Sequence, residues 1–175
     1  MRLPRGKAVS RIPKSAADGL GEAPLRARER PEIAVTLGLD AGTVRVGLAA
    51  TDPTATIAGP VATLSRRDGA ALWARVREEA RARGAERLVV GLPRRLDGSE
   101  GEAAAAARAF ADEASRECGL PVEMWDERLT TVQAQRSLNA SEVRGKKARA
   151  RIDEAAACAI LQAWIDARRA RQGGS

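Results

Sequence analysis

Apolar and polar positions alternate through the first patterned stretch of the chain. Ile33, Val35, Leu37 and Leu39 share one parity, with the small Ala34, Thr36 and Gly38 on the other. This alternation predicts a largely buried strand over residues 33 to 40 that ends on an acid, Asp40. Gly42 and Thr43 then reverse the chain, and Val44, Val46 and Leu48 alternate again, so the two strands form a hairpin with the acid at its mouth. Asp52-Pro53 marks the next turn. A third strand is expected from about Thr56 to Leu64, where Gly59-Pro60 suits an edge position or a bulge.

The period then changes. Leu72, Val76 and Ala80 recur at helical spacing beside Trp73, predicting a helix from Asp68 to Arg83 with Asp68 as its cap and Gly84 as its stop. Leu88-Val89-Val90, within Arg87 to Gly91, is too short and too β-branched for a helix and reads as a buried central strand. After the loop from Leu92 to Ser99, the pair Ser99 and Glu102 has the form of a capping box, opening an Ala-rich helix that runs to about Cys118 and closes at Gly119. Pro121 to Trp125 reads as a fifth strand running into Asp126 and Glu127. A helix is expected from Thr130 to Leu138 and a last one from Ala150 to Arg169, separated by a basic, poorly patterned segment from Asn139 to Ala150. Three hairpin-joined strands followed by two strands reached through helical crossovers give an α/β domain. Its five-stranded mixed sheet is flanked by helices, with the first strand central.

Composition narrows the chemistry. The chain has no histidine among its 175 residues, which excludes a His-based triad and a zinc site of the usual kind. Cys118 and Cys158 lack a Cys-x-x-Cys spacing and read as small core residues in a reducing compartment. There is no apolar run long enough to span a membrane and no signal-peptide pattern, so cytoplasm is the expected location. The net charge of +7 points to polyanionic partners. Residues 1–31 hold eight Lys or Arg against three acids and show no period, so they are expected to be a disordered basic arm. The domain is then expected over residues 32–170, with a flexible tail at 171–175. Three Trp and one Phe are too few for a base-stacking platform, so nucleic acid would be held mainly through its phosphates.

Acids recur where apolar elements end. Asp40 closes the first strand and Glu127 follows the last. Asp153 lies near the middle of the stripe Ile152, Ala156, Ala157, Ile160 and Trp164 on the last helix. A carboxylate on a burying face must be paired, protonated or bound to a cation. For Asp153, an ion pair with a nearby Arg such as Arg149 or Arg151 is an equally good account, and Asp40 would also serve as a turn former. If the three converge, an all-oxygen set without histidine favours Mg²⁺ or Mn²⁺, two ions of which activate water on a phosphodiester.

Five segments carry a resemblance. They are Gly38-Leu39-Asp40-Ala41-Gly42-Thr43-Val44-Arg45-Val46-Gly47, Val89-Val90-Gly91-Leu92-Pro93, Asp97-Gly98-Ser99-Glu100-Gly101, Trp125-Asp126-Glu127-Arg128-Leu129-Thr130-Thr131 and Ile152-Asp153-Glu154-Ala155-Ala156-Ala157. In order and spacing they resemble the YqgF/RuvX family over about residues 33 to 168. The resemblance implies a ribonuclease H-like fold, related to RuvC-type junction resolvases, and a nuclease that trims the 5′ end of precursor 16S ribosomal RNA. Carried over by position, it makes Asp40, Glu127 and Asp153 the catalytic residues and the ligands of Mg²⁺ or Mn²⁺, as a pair of ions. Asp126 has the opposite strand parity, so Glu127 is the acid expected to face the metals.

Neighbouring residues fit substrate binding. Arg45 and Arg128 could hold a scissile phosphate or pair with the acids beside them. Gly91 suits close approach of backbone to substrate or a plain tight turn. Lys146, Lys147, Arg149 and Arg151 form a basic approach to Asp153 or a solvated loop. Thr130 and Thr131 suit a helix cap. The partners implied are pre-rRNA or branched DNA, with ribosomal particles, for a monomer or homodimer. A Holliday junction resolvase would require a symmetric homodimer, whereas a nucleic-acid or ribosome-binding module would use the same surface without cleavage. An actin-like ATPase, suggested by Asp-x-Gly-Thr alone, needs a second domain for which the chain is too short.

Overall fold

The computed structural model describes residues 34–129 and 145–172. The basic arm at 1–31, the expected helix from Thr130 to Leu138, the Thr130-Thr131 cap and residues 173–175 of the tail lie outside them. Strands β1 (Thr36–Ala41), β2 (Arg45–Thr51) and β3 (Ala58–Ser65) form an antiparallel meander. Strands β4 (Arg87–Leu92) and β5 (Val122–Asp126) then add in parallel to β1, giving the order β3-β2-β1-β4-β5. This is the expected five-stranded mixed sheet, with β1 at its centre. Between Leu48 and Ala49 the β2–β3 register skips Val61, a bulge beside Pro60 on the edge strand, where a residue without an amide hydrogen is tolerated. β3 begins two residues later than its pattern suggests because the Asp52 carboxylate accepts the amide hydrogens of Thr56 and Ile57, extending the turn.

Helices α1 (Gly69–Arg83) and α2 (Glu102–Cys118) cover one face, and α3 (Lys146–Gln172) crosses the other. Asp68 caps α1 by accepting from the Ala71 amide at 3.1 Å, and Gly84 ends it in the left-handed region at φ 64°. The capping box at Ser99 does not form. The Ser99 amide and hydroxyl both donate to Asp97 Oδ1, a local turn that outcompetes the helix, so α2 opens at Glu102 after the uncapped Gly101. The segment up to Ala150, read as poorly patterned, is helical from Lys146. Lys, Arg and Ala are good helix formers, and a first turn without large apolar residues carries no stripe to announce it. None of the described helices is long and apolar enough to cross a membrane.

The two faces are packed differently. Leu37, Leu39, Val46, Leu48, Leu88 and Val90 meet Leu72, Trp73 and Val76 of α1 and Phe110 of α2 in the main core. Opposite, Ala49, Val89 and Trp125 meet Ala156, Ala157, Ile160, Leu161, Trp164 and Ile165 of α3. The end of α3 that carries Asp153 is tied to the edge strand, where the Thr63 hydroxyl donates to the Ala150 carbonyl at 2.7 Å. Further along, Gln162 accepts from the Ala58 amide at 2.9 Å.

Candidate active site

The site is built on a row of small residues across the sheet. Asp40 on β1 lies directly opposite Gly47 on β2. On the other side, Leu39 pairs with Val90, so one step further brings Gly91 of β4 beside Asp40. Paired residues project to the same face, and for this row it is the face covered by α3. A Cβ on Gly47 would collide with the Asp153 carbonyl, and one on Gly38 would lie 2.8 Å from Leu161 Cβ and 3.2 Å from the Ala157 carbonyl. A Cβ on Gly91 would collide with the Glu127 carboxylate and approach Ile160 Cδ1 to 2.7 Å.

Three acids are thereby assigned to three adjacent strands, each about 4.8 Å from the next. Glu127 lays its carboxylate over β4, Asp40 rises from β1, and the Asp153 backbone rests over β2. Asp40 is 6% exposed and Glu127 2%. The side chains are not all gathered. Asp153 is turned to Arg45, whose Nε donates to Oδ2 at 2.5 Å. Among the described residues no three acidic side chains form a cluster that could hold a metal ion. The ion-pair partner of Asp153 is thus Arg45 of β2, and not Arg149 or Arg151 on its own helix. A residue 108 positions away is invisible to local spacing.

Asp126 and Glu127 diverge. Asp126 follows Met124 onto the opposite side, where the Arg128 guanidinium grips it through Nε and through Nη2 at 2.7 Å while the Arg128 amide donates at 3.0 Å. These bonds hold the Asp126 carboxyl below its ordinary range. Glu127 opens a 3-10 turn, Glu127–Leu129, which bends the chain back over the α3 face. Arg94 lies 3.6 Å from Asp126 and 2.8 Å from Glu100, which also binds Arg108, so the loop after β4 is braced by a chain of ion pairs. Arg45 and Arg128 are therefore both engaged by acids in this state.

Gly91 is occupied from within the chain, by Glu127 and Ile160. Lys146 and Lys147 open α3, about two turns before Asp153, and Arg149 and Arg151 are exposed on its first turns. Gly47 had no role in the sequence reading, although a glycine inside an alternating strand marks close approach of another backbone.

The family model for RuvX, described as a Holliday junction resolvase, matches residues 34–167. The chain belongs to this family. A relative from Kineococcus radiotolerans, named "Putative pre-16S rRNA nuclease", is 52% identical over 77% of this chain and 73% of its own length. Relatives of the same name are 49% identical in Mycolicibacterium paratuberculosis, over 77% of this chain and 81% of theirs, and 46% identical in Moorella thermoacetica, over 74% and 93%. Among solved structures, RuvC from T. thermophilus in complex with a Holliday junction substrate aligns over 78% of this chain and 96% of that one. The TM-score is 0.47 at 16% identity.

Proposed function

We propose that this RuvX-family chain is a divalent-metal-dependent endonuclease that processes the 5′ end of pre-16S rRNA in the cytoplasm. Its class, a hydrolase of phosphodiester bonds, follows from the family match and from the shared name of its relatives. The observation that carries the site assignment is the glycine-flanked row, with Asp40 between the strand that bears the Glu127 carboxylate and the strand under Asp153.

The donor set fits the metal. Carboxylates without imidazole or thiolate suit Mg²⁺ or Mn²⁺, and the bare glycines at 47 and 91 let the Asp153 backbone and the Glu127 carboxylate lie close over the strands on either side of Asp40. Asp40, Glu127 and Asp153 would hold the ions, which when bound polarise a phosphoryl oxygen and acidify water. The protein's own part is placement. The central strand fixes Asp40, the 3-10 turn presses Glu127 over Gly91, and the contact at Gly47 fixes the Asp153 backbone. The basic first turns of α3, from Lys146 to Arg151, lead the phosphate backbone towards Asp153. Arg45 and Arg128 are the guanidinium groups beside the acids, available to phosphate once exchanged from them.

The test is cleavage of a precursor 16S RNA fragment beside a four-way DNA junction, with Mg²⁺ or Mn²⁺, by the intact protein and by Asp40→Asn. Altering even a residue behind a metal ligand costs about 10- to 100-fold, so loss of the ligand itself should remove more than about 100-fold of RNA cleavage. The family's description favours a second reading, junction resolution, which requires two sites in a symmetric dimer. Junction cleavage without RNA cleavage would select it. Cleavage of neither by a folded, RNA-binding protein would leave a binding module.

A further inference from the structure

Arg45 stands two residues from Gly47 on the same face of β2, and its Nε reaches Asp153 Oδ2 at 2.5 Å, with both side chains partly buried. The Asp153 backbone has no freedom to carry its carboxylate elsewhere. Its carbonyl rests against Gly47, and the helix end is tied to Thr63. Asp153 Oδ2 already carries the Arg45 hydrogen bond, so a cation that recruits this carboxylate must displace the guanidinium or sit beside its positive charge. Two positive charges cannot both occupy one carboxylate oxygen without repelling each other.

We propose that Arg45 is a positioning residue that acts as a resident counter-cation for Asp153, held in competition with the divalent ion. Divalent binding then has two stages. Asp40 and Glu127 provide the buried part of the site, and Asp153 joins on release from Arg45. The inference rests on the reading that these three acids hold the metal. It adds that the third ligand is masked in the metal-free protein and that the mask lowers metal affinity.

The decisive measurement is calorimetric titration of Mn²⁺ into the full-length protein, Arg45→Gln, Asp153→Asn and the double variant, each checked for folding by circular dichroism. Removing the competitor should tighten Mn²⁺ binding about tenfold, equivalent to about 1.4 kcal/mol. In the Asp153→Asn background the same Arg45→Gln change should shift affinity less than about twofold, because the carboxylate it competes for is gone. Equal tightening in both backgrounds would mean that Arg45 acts only through its long-range charge, and unchanged or weaker binding in folded Arg45→Gln would mean that it does not compete. Either result overturns the proposal. Arg45→Lys keeps the charge on a single nitrogen without the guanidinium fork and should bind Mn²⁺ with intermediate affinity, a check that holds if the Gln variant folds poorly. If Mn²⁺ fails to bind the intact protein, or binds it and Asp40→Asn alike, the site reading itself fails. If Asp40→Asn weakens binding while Arg45→Gln changes nothing, only the masking fails.

Discussion

On the face that meets α1 and α2, strands β1, β2 and β4 present Leu37, Leu39, Val46, Leu48, Leu88 and Val90; on the face that meets α3, they present Gly38, Asp40, Gly47, Ala49, Val89 and Gly91. The strands are the same, and only the parity differs. The first face gains stability by filling space, because each large apolar side chain removed from water contributes about 1.5–3 kcal/mol. The second gives up that contribution so that a helix backbone can lie directly on the strands. A helix with its side chains measures about 10–12 Å across and normally stands off a sheet by the length of those side chains. Glycine at 38 and 47 removes that spacing, and the close seat of α3 is what brings Asp153 to the strand next to Asp40.

The comparison is broken most sharply by opposite changes on the two faces. Leu39→Ala removes packed atoms from the first face and should cost about 2–5 kcal/mol in denaturant unfolding. It should leave the Mn²⁺ affinity of the folded protein unchanged. A change in affinity would mean that the two faces are not independent.

Adding a single methyl group on the second face should cost nearly as much. Gly47→Ala drives a Cβ into the Asp153 carbonyl, a backbone atom that cannot swing aside, so α3 must lift from the sheet. Overpacking of this kind costs about 1–3 kcal/mol, and this contact belongs at the upper end. Because the lift carries Asp153 with it, cleavage should fall along with stability. A Gly47→Ala protein with intact stability and full activity would show that the close seat of α3 is dispensable.

Gly91→Ala is the milder version. Its Cβ meets the Glu127 carboxylate and the tip of Ile160, both side-chain ends that can rotate away. A loss of about 1–2 kcal/mol is expected, with Mn²⁺ affinity falling about tenfold because the group that must move is the proposed ligand. Reversal of those two effects, a large stability loss with unchanged affinity, would assign Gly91 to packing alone.

The same contrast explains what could be read from the chain. Alternation over Leu37, Leu39, Val46 and Leu48 and the run Leu88-Val89-Val90 announced the filled face, because burial of large side chains leaves a periodic trace. The helical phase of Ala156, Ala157, Ile160 and Trp164 likewise announced the buried stripe of α3 and the misfit of Asp153 within it. Glycines leave a weaker trace. Gly47 interrupts no pattern and only the fold shows what lies above it. The Arg45–Asp153 pair joins a strand to a helix across 108 residues, so no local rule could choose Arg45 over Arg149 or Arg151. Ser99 failed as a cap because two local hydrogen-bonding schemes fit the same serine, and Asp97 won.

The smallest expected effect separates the adjacent acids at the end of β5. Asp126 shares the side of Met124, at the end of β5, where Arg128 donates hydrogen bonds that hold its carboxyl below the ordinary value of 3.8. A carboxyl depressed in the folded state contributes stability above that ordinary value and loses it as pH falls towards the lower folded one. Asp126→Asn should therefore cost a few tenths of a kcal/mol at neutral pH, as exposed ion pairs do. The deficit relative to the intact protein should close in unfolding curves recorded below about pH 3.8. Mn²⁺ affinity should stay within about twofold, whereas Glu127→Gln should weaken it more than about tenfold. The two residues are chain neighbours with the same charge, so proximity alone predicts similar losses. Unequal losses require that strand parity and the 3-10 turn, by sending one carboxylate to Arg128 and the other over Gly91, divide structure from chemistry.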